Sequence, residues 1–144
     1  MLNEKEIDFI PVFEEKIKLV VPKGHPLTKK EDVTLKETLN YKHIIFRSGS
    51  GFRNFMDGLF KQLGKFPEAG YEVEEDSAMA GLVAQGFGIA IMPNIPILNT
   101  MDVDTVLIRE PKMKRYIYLA KMKNKYLSPV AQEFVKYVIA NRNL

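Results

Sequence analysis

Leu82-Val83-Ala84-Gln85-Gly86-Phe87-Gly88-Ile89-Ala90-Ile91-Met92-Pro93 decides the fold class. Met79, Leu82 and Val83 share one face of a helix that Gly86 stops. Gly88–Met92 is then a continuous apolar run closed by Pro93, the pattern of a buried strand. A helix passing through a glycine stop into such a strand is half of an α/β unit. Asp76 or Ser77 is expected to cap the helix, because both side chains can accept from first-turn N–H groups.

The alternation continues outward. Ile17–Val21 is an apolar, β-branched run ended by Pro22, Gly24 and Pro26, which predicts a buried strand and a turn. Thr34 and Glu37 form a capping box for a short helical turn reaching Leu39. His43–Phe46 predicts a strand and Ser48–Gly51 a loop. Phe52, Phe55, Met56, Leu59, Phe60 and Leu63 recur at helical spacing, and Gly64 ends that helix. Tyr71–Val73, Thr105–Ile108 and Tyr116–Ala120 read as further strands. Ser128 caps a last helix with Pro129 in its first position. On it, Val130, Phe134 and Val138 lie beside a second apolar ridge of Ala131, Val135 and Ile139. The order predicts an α/β fold with a mostly parallel sheet flanked by helices.

Composition narrows the function classes. The 144 residues are 46% apolar and 27% charged, which suits a folded chain with its own core and not a disordered one. The net charge of +3 is far from the basic stripe of a dedicated nucleic-acid binder. The absence of cysteine excludes disulfides, a thiolate nucleophile and cysteine-based metal sites. Met1–Ile10 carries three acidic residues and no apolar core, so no secretory signal is expected there. The longest apolar stretch, Phe87–Leu98, is interrupted by Gly88, Pro93, Asn94 and Pro96 and falls short of the roughly 18 residues of a membrane span. These features predict a soluble, cytoplasmic chain with no membrane partner.

Few residue groups could carry chemistry. His25, in a Gly24-Pro26 turn, and His43 have no carboxylate at ligand spacing, so no metal site is expected. Gly49-Ser50-Gly51 lacks the outer glycines of a nucleophile elbow. Gly58 to Gly64-Lys65 has the wrong spacing for a P-loop and lies in a helix. No base or nucleophile can be assembled, and the expectation is a non-enzyme without a cofactor. Phe46-Arg47-Ser48-Gly49-Ser50-Gly51-Phe52 is more informative, because it follows a strand and opens a helix. Backbone N–H groups, two hydroxyls and the helix N-terminus could receive a carboxylate or phosphate. The competing reading is that Ser50 only caps the helix. Glu74-Glu75-Asp76-Ser77 is a second helix start after a strand. Its acids fit the helix dipole, and its loop would share a ligand-facing sheet edge with the first. Lys112, Lys114, Arg115, Lys121, Lys123 and Lys125 cluster near Tyr116, Tyr118 and Tyr126; a solvated strand edge explains them better than a nucleic-acid surface.

Three stretches together resemble the effector-binding domain of LysR-type transcriptional regulators. The first is Phe13-Glu14-Glu15-Lys16-Ile17-Lys18-Leu19-Val20-Val21-Pro22-Lys23-Gly24-His25-Pro26-Leu27, similar to the family's strand ending in His-Pro-Leu. The second is Glu74-Glu75-Asp76-Ser77 running into Leu82–Pro93, which resembles the family's LVAAGLGIALLP signature. The third is Tyr118-Leu119-Ala120-Lys121 followed by Ser128-Pro129 and a closing helix. The resemblance spans essentially all of residues 1–144. It implies a fold like type 2 periplasmic binding proteins, with two lobes and an effector between them. Residues 28–115 would be the second lobe, 16–22 and 116–121 the crossover strands, and 128–142 the closing helix. Glu6-Ile7-Asp8-Phe9 is similar to the family's GEIDLAI strand and would be a remnant of the first lobe.

The implied function is small-molecule sensing for transcription control, with a small anionic or carboxylate effector. Ser48, Gly49, Ser50, Gly51, Asp76 and Ser77 would line the site. The family's winged helix is not in these residues, so the chain is expected to be a truncated regulator that makes no direct nucleic-acid contact. The alternatives are a stand-alone solute-binding protein or an oligomerisation fragment of the same fold. The exposed ridges of the closing helix predict self-association into a dimer or higher oligomer.

Overall fold

A computed structural model describes residues 4–144. Residues 1–3, at the start of the stretch read as lacking a secretory signal and of the 1–144 fragment, lie outside the described residues. The chain divides into two compact units, one of residues 17–113 and one of residues 4–16 with 114–144. Among the described residues no helix is long and apolar enough to cross a membrane.

The larger unit begins with β2, Ile17–Pro22, after β1, Ile7–Glu15, has ended in the other unit. Leu19, Val20 and Val21 are fully buried, as their unbroken apolar run requires. β2 lies between β6 (Ala90–Pro93) and β7 (Val103–Glu110) and is antiparallel to both; β3 (Asp32–Thr34) joins β7 in parallel. A second parallel pair joins β4 (His43–Phe46) to β5 (Ala69–Val73). A bridge between His43 and Ile89 brings β4 alongside the residue before β6. The expectation of a mostly parallel sheet is therefore corrected to a mixed one. The chain enters this unit along β2 and leaves along β7 from the same end, which forces these central neighbours antiparallel.

The strand read as Ile17–Val21 is thus an integral member of the larger unit's sheet, with a partner on each side. Short β3, three residues beginning with Asp32, gave no apolar signal and was not anticipated. Its successor α1, Leu35–Thr38, carries both bonds of the capping box, Thr34 Oγ1 accepting from Glu37 N–H and Glu37 accepting from Thr34 N–H. α2, Gly51–Leu63, buries Phe52, Met56 and Phe60, each worth about 1.5–3 kcal/mol of apolar burial, and ends at Gly64 in the left-handed conformation. α3, Asp76–Ala84, buries Met79, Ala80 and Val83.

In the smaller unit β1 pairs antiparallel with β8, Arg115–Met122. The last helix, α4, is Pro129–Ala140 with Ser128 as its side-chain cap, as read from the sequence. None of this unit's described residues is fully buried. Ala131, Val135 and Val138 are half-buried, whereas Val130, Phe134 and Tyr137 are 81%, 59% and 67% exposed. The exposed ridge therefore includes Tyr137 where the sequence reading placed Val138.

Candidate functional site

The parallel register of β4 and β5 sets Phe46 against Val73, so both strands end at the same edge. The loop after β4 holds Ser48–Gly51 and the loop after β5 leads to Asp76 and Ser77. Arg47 N–H donates to the Val73 carbonyl at 2.7 Å, which fastens the two loop origins together. Carboxyl edges of parallel strands are where α/β proteins place ligands, because loops and helix N-termini converge there.

Within the first loop, Gly49 has φ +90°, a conformation that side chains resist. Ser50 is the N-cap of α2, its Oγ accepting from Arg53 N–H at 3.1 Å. The capping role raised for Ser50 is therefore present. Ser48 is exposed, and its N–H donates to Glu72 Oε1 at 3.1 Å.

The second loop departs from the sequence reading. Neither Asp76 nor Ser77 caps α3: the N-cap residue is Glu75, without a side-chain cap bond, and Asp76 is the first helical residue. The chain is still extended at Glu75 and already helical at Asp76, so the helix begins one residue earlier than a cap at Asp76 would set and two earlier than a cap at Ser77. Asp76 is partly buried and Ser77 exposed.

Charged residues surround this edge. Arg47 pairs with Glu74. Arg53 donates through Nε to both carboxylate oxygens of Asp57, at 2.8 and 3.0 Å, and through Nη1 to the Phe46 carbonyl at 2.9 Å. Its Nη1 also stands 3.7 Å from Glu72 Oε2. The edge offers a ligand hydroxyl and amide donors, with carboxylate acceptors close by. Arg53 and Glu72 were not singled out from sequence. The Arg53–Asp57 spacing of four residues in a helix was a readable signal, whereas Glu72 reaches Ser48 only through strand pairing.

The other candidates resolve as structural. His25 Nδ1 accepts from Leu27 N–H at 3.2 Å and its ring packs edge-on against Tyr41. His43 is buried, with Nε2 3.0 Å from the Thr38 carbonyl, and burial holds its imidazole below the ordinary value. Among the described residues no group of three or more His, Asp or Glu could hold a metal ion. The basic cluster is partly neutralised: Arg115 pairs with Glu15, and Lys121 with Asp8 at 3.0 Å. These are cross-strand pairs of β1 and β8 and do not form a continuous stripe.

The profile of the LysR substrate binding domain matches residues 2–142. An uncharacterized HTH-type transcriptional regulator YybE of Bacillus subtilis (strain 168) is 34% identical over 96% of this chain, which covers 47% of that regulator. The chain thus spans about half the length of the curated relatives it matches. The solved effector binding domain of QuiR, in complex with shikimate, is 40% identical, with a TM-score of 0.89 over 97% of this chain and 67% of that one. The regulatory domain of Synechocystis PCC6803 CcmR, in complex with 2-PG, has a TM-score of 0.87 over 99% of this chain and 71% of that one; at 22% identity it speaks for the fold alone. With the α/β architecture and the motifs in register over nearly its whole length, the chain belongs to the LysR substrate-binding-domain family, the effector-binding part of LysR-type transcriptional regulators.

Proposed function

We propose that this chain senses a small carboxylate-bearing, hydroxylated metabolite for a bacterial transcriptional regulator. Ser48, Gly49, Ser50, Gly51, Asp76 and Ser77 form its contribution to the site. The observation that carries the reading is the convergence of both loops at the carboxyl edge of β4 and β5. The Ser48 hydroxyl and the loop amides suit a carboxylate, while Glu74 and Asp76 suit ligand hydroxyls. Shikimate, bound by the 40%-identical QuiR domain, combines both kinds of group. The reading assigns no reacting group, so the chain acts as a sensor and not as a catalyst. Transcription control belongs to the whole regulator, whose relatives are about twice this length.

The test is thermal unfolding against shikimate and a panel of small carboxylates at constant ionic strength. Ligand at about a hundredfold over Kd stabilises a native state by about 2.7 kcal/mol. A selective shift that is lost in Ser48→Ala supports the reading; no shift with any panel member overturns it for this chain.

Self-association is the second part of the proposal. It rests on the exposed Val130, Phe134 and Tyr137 ridge, in a unit with no fully buried residue among those described. A two-stranded pair with one helix is marginal alone in water, so further apolar contact is expected.

A further inference from the structure

Within the larger unit, between α2 and the β4/β5 pair, lies a partly open pocket of about 100 Å3. Phe46, Phe52, Met56, Phe60 and Ile91 make its walls apolar. His43 also lines it, although only 2% of that residue is exposed. The Thr38 carbonyl, 3.0 Å from Nε2, can only accept, so Nε2 carries the ring proton and Nδ1 is a bare acceptor. Among the described residues Nδ1 has no hydrogen-bond partner and no fully buried side-chain N or O is left without one, so Nδ1 keeps some exposed surface. The ring packs edge-on against Phe60, a wall of the pocket that His43 also lines, and the proposal places that surface there.

Size and charge limit the occupant. An apolar cavity of about 150 Å3 holds benzene, so a pocket two thirds that size with an open mouth accommodates one ring with its outer edge projecting. The polar end consists of Arg53 and Asp57, which pair with each other. That pair offers no uncompensated positive charge, and a ligand carboxylate here would be desolvated beside Asp57 and phenyl rings. A neutral ring is favoured, and the aromatic walls suit edge-to-face contact with it.

We propose that this pocket is a second ligand site, taking a small monocyclic phenol whose hydroxyl donates to His43 Nδ1. It is distinct from the Ser48–Gly51 loop and does not depend on what that loop binds.

The test titrates the full chain with phenol, toluene and benzoate, following the methyl NMR signals of Met56 and Ile91. Phenol is expected to shift these signals and to bind about fivefold tighter than toluene, the scale of one net hydrogen bond. Benzoate is expected to leave them unmoved. Ala69→Phe, at an exposed position on the pocket mouth, should abolish phenol binding, whereas Ser48→Ala should not affect it. His43→Phe should equalise phenol and toluene; where that variant does not fold, Ala69→Phe decides. Phenol no better than toluene, binding that survives Ala69→Phe, or no methyl shift at millimolar phenol would each overturn the proposal.

Discussion

Glu72 Oε1 accepts the backbone N–H of Ser48 at 3.1 Å, so a carboxylate of the chain itself occupies a donor of the candidate site. An incoming ligand carboxylate competes with it. Glu72→Gln keeps the shape and removes the competing charge. We expect shikimate affinity to rise about two- to fivefold in that variant, because an exposed charged contact is worth under about 1 kcal/mol. Isothermal titration checks this, and unchanged or weaker binding would show that Glu72 does not compete.

Ser50 carries the capping hydroxyl of α2, whereas Ser48, exposed, carries the hydroxyl proposed to face the ligand. Ser50→Ala removes the cap of α2 and should cost about 1 kcal/mol in urea unfolding. Ser48→Ala should stay within about 0.5 kcal/mol of the parent while weakening the effector response. Equal stability losses in the two variants would contradict this division.

Gly88 is held by close approach. A Cβ there would stand 2.8 Å from the Lys42 carbonyl oxygen. That same oxygen accepts Ile89 N–H at 3.0 Å, part of the link between β4 and the start of β6. Gly88→Ala should therefore cost about 1–3 kcal/mol by pushing the two segments apart. Gly58→Ala, with open space around its Cβ in α2, is expected to be neutral or stabilising. Chemical denaturation of both variants provides the comparison.

Stability should fall in two separate acid windows. Burial holds the His43 imidazole below its ordinary value of 6.5, only partly offset by the hydrogen bond to Thr38, and burial lowers His25 as well. The unfolded chain thus binds protons first, so their contribution is complete above pH 6.5 and is lost as pH falls below it. Glu37 is held down at about 2, first by Lys30 and then by the Thr34 amide and hydroxyl. Its contribution is present above its ordinary value of 4.5 and is lost between there and about 2. Denaturation midpoints of His43→Phe should make the upper window shallower, leaving the His25 part and the lower window in place, and those of Glu37→Gln should flatten the lower one.

The α4 ridge predicts concentration-dependent assembly. Phe134→Glu places a charge at its centre and should shift light scattering toward the monomer without unfolding α4. A parent chain that is already monodisperse and monomeric would refute the self-association proposal.

Local sequence signals determined much of this protein. The Thr34–Glu37 box, Ser50, Gly64 and the Ser128-Pro129 pair set helix boundaries through contacts a few residues apart, and the runs at Ile17–Val21 and Ile89–Met92 could only be buried. The motifs around Leu27, Leu82–Pro93 and Ser128 carried the family. Tertiary structure decided what depends on pairing across long separations. The antiparallel placement of β2, and the meeting of Glu72 with Ser48 and of Arg53 with Glu72, join residues 19 to 87 positions apart along the chain. His43 shows the same division: its sequence neighbours mark a strand, but only the packing of α2 over β4 buries its ring beside a pocket. Periodicity records which face of an element is apolar, whereas strand order and register depend on the summed fit of whole surfaces, which no local pattern encodes.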